Sequence, residues 1–149
     1  MFDKILVPLD SSKFSKKSLQ VAIEVGKKFN SSLTLIHIVE GSVKYRRSGN
    51  TGKMLKKEEH ILSKEEIPKK FYNLFEFSKA LVSMEGLSVN TVFKKGNIVE
   101  EILETAELGK FDLVIMGARG QGPIRKLFLG SVSSEVIEKA ICPVLVTRI

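Results

Sequence analysis

The chain has 149 residues, with 24 Lys and Arg against 17 Asp and Glu, giving a formal net charge of +7. A 43% hydrophobic content is enough for a packed core and argues against a disordered chain, and the length fits one domain spanning 1–149. The apolar runs are too short to span a bilayer, the first residues lack a secretory signal pattern, and a lone Cys142 excludes an internal disulfide, so a reducing, cytoplasmic setting is expected.

Lys4 to Pro8 is a short apolar run closed by proline, as in strands buried on both faces. Asp10 to Ser12 offers capping side chains. From Ser15 to about Phe29, apolar residues at Leu19, Ala22, Ile23, Gly26 and Phe29 follow helical spacing, with lysines on the wet side. Asn30-Ser31 breaks that pattern, and Leu33 to Val39 is a second strand.

From Gly41 to about His60 the periodicity disappears. Six basic residues (Lys44, Arg46, Arg47, Lys53, Lys56, Lys57) face two acids, so this stretch holds +4 of the +7. It is expected to be a basic, flexible surface insertion over 41–60. Its readings are a solvated loop, a flap over a ligand, or a contact for an acidic partner or nucleic acid. With Tyr45 as its one aromatic, base stacking is poorly supported and nucleic acid is not the expected partner.

Helical spacing returns from Ile61 to Met84, starting or kinking at Pro68, with Gly86 as the stop. Leu87 to Phe93 alternates as a strand, and Gly96-Asn97 turns the chain. Val99 to Gly109 is a short helix and Asp112 to Met116 a buried strand. A glycine-rich loop follows from Gly117, then a helix through Val132, Val136, Ile137 and Ala140. Pro143 to Thr147 is the last strand. Alternating strands and helices of this kind predict a three-layer α/β sandwich on a five-stranded parallel sheet. Ligands of such sheets lie beyond the carboxyl ends of the strands. Pro8-Leu9-Asp10, His37-Ile38-Val39 and Met116-Gly117 fall there.

The loop runs from Gly117 through Gly120 and Arg119 to Gly130-Ser131 and ends at a helix start. Glycines allow close backbone approach and positive φ. Backbone N–H groups at a helix amino terminus favour anions, and Arg119, Arg125 and Lys126 add positive charge. A plain βα turn capped by Gly130-Ser131 remains the simpler reading of these residues. No G-x-x-x-x-G-K-[ST] sequence is present, nor a G-x-G-x-x-G after the first strand.

Gly117-x2-Gly120-x9-Gly130-Ser131 resembles the G-x2-G-x9-G-[ST] motif of the ATP-binding branch of the universal stress protein family. Three further blocks, Ile5 to Asp10, Leu35 to Val39, and the last two strands through Cys142-Pro143, resemble that family in the same order. The resemblance implies a Rossmann-like fold of the adenine nucleotide alpha hydrolase-like kind. It also implies that Asp10 holds a ribose hydroxyl while Pro8 and Leu9 line the base pocket. The Ile38 backbone, aided by Val39, would read the adenine edge, and Met116 and Gly117 would lie against the nucleoside. Gly120, Gly130, Ser131, Ser133 and the Val132 backbone would hold phosphates, with Arg119 at a variable position nearby. Leu9 stands where relatives often carry threonine. The implied ligand is ATP, or ADP or AMP, with Mg²⁺ or Mn²⁺ carried by the phosphates. The implied assembly is a homodimer through the carboxyl-terminal strand.

Apart from the resemblance, Asp10 is the wrong charge for phosphate contact but suits hydroxyls, or it simply caps the helix. His37 is read as a buried or pocket-edge histidine, and Cys142 as a small buried hydrophobe. No residue is nominated as a catalytic base. A nucleotide-responsive regulator in stress response is therefore expected, with a slow ATP hydrolase or phosphotransferase, or a nucleotide-free interaction module, as alternatives.

Overall fold

The computed structural model describes residues 1–42, 45–48, 54–57, 61–119 and 129–149, with 45–48 and 54–57 described by their backbone. Five strands, β1 (Lys4–Pro8), β2 (Ser32–Glu40), β5 (Val89–Gly96), β6 (Leu113–Gly117) and β7 (Val144–Thr147), form one parallel sheet in the order β5-β2-β1-β6-β7. Two short strands, β3 (Tyr45–Ser48) and β4 (Met54–Lys57), pair antiparallel in a second sheet. The sequence pattern over 41–60 gives no sign of these two strands. Neither strand has the alternating apolar pattern that would reveal it.

Four helices cover the parallel sheet: α1 (Lys13–Phe29), α2 (Lys69–Met84), α3 (Ile98–Leu108) and α4 (Ser131–Lys139). Strand residues alternate between two cores, as a pleated sheet buried on both faces requires. Ile5, Val7, Leu33, Leu35, Leu113 and Ile115 pack with Leu19 and Ala22 of α1 and Phe75 and Val82 of α2. Leu6, Ile36, Ile38, Val114 and Met116 pack with Ile102 and Ala106 of α3 and Val136 of α4.

Local chemistry sets the boundaries. Ser12 caps α1 through the Ser15 N–H, and Asn30 ends it in the left-handed conformation at φ 55°. Pro68 starts α2 and does not kink it. Gly86, at φ 78°, follows the end of that helix. Strand β5 lies later than the alternation over Leu87 to Phe93 suggests. It runs through Lys94 and Lys95, which pair with Ile38 and Val39 of β2, and the buried Lys94 side chain bonds Thr105 Oγ1 at 3.0 Å, with Glu101 at 4.0 Å. A strand-end lysine that reads as wet in the sequence is thus a core residue.

The chain passes from β1 to β2 on one side, then returns from β5 to β6 on the other side of β1. Strand order therefore reverses between β1 and β6, which places the crevice expected for ligands at their carboxyl ends.

Candidate functional site

The β1 side of the crevice is a turn built on Asp10. The Asp10 N–H donates to Ser15 Oγ at 2.7 Å, and the Ser15 hydroxyl donates back to Asp10 Oδ1 at 2.9 Å. The Ser12 N–H donates to the same Oδ1 at 2.7 Å. Asp10 is thus part of the cap of α1, and its carboxylate is held at the mouth of the crevice. Just before it, Leu9 is buried and its N–H donates to the Ile36 carbonyl at 2.9 Å. Strand residues two apart direct their main-chain groups to the same edge. Ile38 therefore presents its N–H and C=O on the β1 side, past Pro8, where β1 has ended. Its side chain and that of Met116 share the α3/α4 core, while Val39 is partly exposed.

On the β6 side the chain is organised around Ala118. Its N–H donates to the Thr147 carbonyl at 2.9 Å, which continues the β6–β7 pairing by one step. Its carbonyl accepts the Gly130 N–H at 2.8 Å and the Ser133 hydroxyl at 2.7 Å. Ser133 also reaches the Gly130 carbonyl at 3.1 Å and is buried. These bonds bring the start of α4 back against the end of β6. The first N–H groups of a helix have no intrahelical acceptor, and the first turn of α4 carries no acidic residue to answer them. The first turn of α3, in contrast, carries Glu100 and Glu101. The α4 terminus is therefore suited to an anion. Ser131 is exposed there and Val132 is partly buried.

The glycines act by close approach. Gly130 has φ −66° and ψ 163°, open to any residue, but a Cβ there would meet the Ala118 carbonyl oxygen at 3.1 Å. A Cβ on Gly117 would meet Phe14 Cβ at 2.6 Å and the Phe14 backbone at 3.1 Å. That contact joins α1 to the end of β6 and so links the two sides of the crevice. The sequence reading that these glycines supply positive φ is corrected by these values. Among the described residues the glycines with positive φ are Gly86 and Gly96.

The structure thus gathers Pro8, Leu9, Asp10, Ile38, Val39, Met116, Gly117, Gly130, Ser131, Val132 and Ser133 at the carboxyl ends of β2, β1 and β6. Arg119 is partly buried just past β6, and Gly120 lies outside the described residues. Sequence reasoning missed Ala118, whose main chain alone does the work, and Ser15 as a partner of Asp10. The spacing Asp10-x4-Ser15 was the available signal. Among the described residues no cluster of three or more His, Cys, Asp or Glu is arranged to hold a metal ion, and no helix is long and apolar enough to cross a membrane.

Residues 1–148 match the model of the universal stress protein family. Universal stress protein YxiE of Bacillus subtilis (strain 168) is 31% identical over 150 residues, covering 99% of this chain and 100% of that protein. Universal stress protein MJ0577 of Methanocaldococcus jannaschii is 29% identical over 160 residues, covering 99% of this chain and 96% of the relative. The solved MJ0577 structure is similar at a TM-score of 0.67 and 26% identity, over 99% of this chain and 96% of that one. A universal stress protein from Archaeoglobus fulgidus, solved in complex with dAMP, has the same fold at a TM-score of 0.69 and 19% identity, over 99% of this chain and 98% of that one. By the match along its length and by these relatives, the chain belongs to the universal stress protein family.

Proposed function

We propose that this protein binds an adenine nucleotide, ATP or ADP, in the crevice between β1 and β6 and acts as a nucleotide-responsive regulator in stress response. The observation that carries the reading is the pairing of two unlike termini across one crevice. A carboxylate suited to hydroxyls stands at the end of β1, and a helix amino terminus with no acidic residue in its first turn, suited to phosphate, stands at the end of β6. A nucleotide carries both groups. In this reading Asp10 accepts from the ribose, Pro8 and Leu9 line the base, and the Ile38 main chain, beside Val39, reads the adenine edge. Met116 and Gly117 back the nucleoside. Ser131 and the N–H groups at Val132 and Ser133 meet the phosphates, with Gly130, Arg119 and Gly120 assigned to the same end of the ligand. The Ser133 hydroxyl holds the frame through Ala118.

In this reading Mg²⁺ or Mn²⁺ arrives on the phosphates. The dAMP complex in the same fold supports an adenine ligand. The proposal extends to a single cytoplasmic domain that pairs through β7. That strand ends the sheet, and Val144, Leu145 and Val146 on it are partly buried.

The test is a thermal shift with ATP and Mg²⁺ on the wild type and on Asp10→Ala. A rise in Tm that shrinks in the variant supports the reading. No rise in the wild type at millimolar ATP counts against it.

A further inference from the structure

His37 lies in β2 on the face that carries α2, and it is 9% exposed. Its Nδ1 is 2.9 Å from the Leu9 carbonyl oxygen. A carbonyl only accepts, so Nδ1 carries the hydrogen. Burial lowers the affinity of the ring for a second proton, against the pull of the Leu9 bond and of the Asp10 carboxylate. The ring is thus the neutral Nδ1–H tautomer near pH 7.

This hydrogen bond falls on one particular peptide group. The Leu9 carbonyl and the Asp10 N–H belong to the same planar unit. The carbonyl accepts from His37, and the N–H donates to Ser15 Oγ at 2.7 Å. The unit is therefore fixed at both ends, and its rotation would break a bond on either side. The imidazole is itself held. It stacks on Phe71 of α2 with centroids 3.9 Å apart and planes at 21°, and meets the edges of Phe75 and Phe93 at 6.0 and 6.3 Å.

We infer that His37 is a positioning residue: by fixing the Leu9–Asp10 peptide it sets the angle at which Asp10 meets the ribose hydroxyls. This assignment rests on the nucleotide reading. It makes discrimination for the ribose, and not binding as a whole, depend on a side chain that faces the α2 core.

The experiment is calorimetric titration of ATP and of 2′,3′-dideoxy-ATP into the full chain, as wild type, His37→Phe and His37→Asn. Phenylalanine keeps a ring for Phe71 and removes the donor. Asparagine loses the stack but places an amide N–H near the Nδ1 position. The wild type is expected to prefer ATP. His37→Phe should weaken ATP about five- to tenfold, the value of one lost hydrogen bond, while leaving the dideoxy analogue nearly unchanged. His37→Asn should keep the wild-type ratio within about twofold, on the same basis, even where its Tm falls. If His37→Phe does not fold, His37→Gln carries the same arm, because its amide reaches the Nε2 position.

A wild-type ratio in His37→Phe, or the same loss in His37→Asn, overturns the assignment alone. Equal wild-type affinity for the two ligands overturns it and the Asp10 contact while leaving nucleotide binding intact. A wild type that binds neither overturns the nucleotide reading and this inference together.

Discussion

Asp10 and Ser15 bond each other twice: the Asp10 N–H donates to Ser15 Oγ, and the Ser15 hydroxyl donates to Asp10 Oδ1. One serine thus both caps the turn that starts α1 and aims the carboxylate proposed for the ribose. Ser15→Ala removes both bonds. The expected cost is about 1–2 kcal/mol of stability, by urea denaturation, together with weaker ATP binding. An unchanged affinity would show that Asp10 does not need this partner to bind.

Ser131 and Ser133 should separate binding from stability. The Ser133 hydroxyl is buried and donates to the Ala118 carbonyl, so Ser133→Ala is expected to cost about 1 kcal/mol or more in denaturant. Ser131 is exposed, and Ser131→Ala should stay within about 0.5 kcal/mol of wild type while weakening ATP binding. The reverse pattern would misassign the two hydroxyls.

The two described glycines of the loop should differ as well. Gly117→Ala puts a methyl against Phe14, part of it backbone, and should cost about 1–3 kcal/mol by overpacking. Gly130→Ala meets one carbonyl oxygen at 3.1 Å with an allowed φ, and should fold with a smaller loss. Gly130→Val should fold and bind ATP more weakly. Equal Tm losses for the two alanine variants would contradict the contacts described.

Much of the fold is legible in the sequence because its signals are local. The buried runs at Lys4 to Pro8 and Asp112 to Met116, the helical spacing after Ser15, and the loop ending at Gly130-Ser131 each carry their signal within a few residues. What was missed depends on tertiary contact. Lys94 continues β5 by pairing with Ile38 of β2, and its ammonium is received by Thr105 and Glu101 of α3. β3 and β4 show no apolar alternation. The Leu9–His37 bond joins residues 28 apart in sequence. Of the two properties the sequence suggests for Gly117 and Gly130, close approach and positive φ, the approach of Phe14 and Ala118 sets the requirement and positive φ does not.

His37 also gives a pH signature. Its folded pKa is lowered from the ordinary 6.5, chiefly by burial, against the Leu9 bond and the facing Asp10 carboxylate. The Lys70 ammonium lies over the stacked Phe71 ring at 5.7 Å. The unfolded chain therefore binds a proton that the folded chain refuses. Stability should be full above pH 6.5 and fall as pH drops below it toward the folded pKa. Urea midpoints between pH 7 and about 5.5, above the carboxylate range, should show this slope, and His37→Phe should flatten it. An identical slope in the variant would rule out His37 as its source.

An adenine nucleotide held in the β1–β6 crevice should survive purification of the protein. Denaturing the purified protein and identifying released nucleotide by chromatography and mass, alongside Gly130→Val prepared in the same way, tests this. The wild type should release ATP or ADP and the variant much less. No adenine nucleotide from the wild type, with no binding of added ATP, would contradict it.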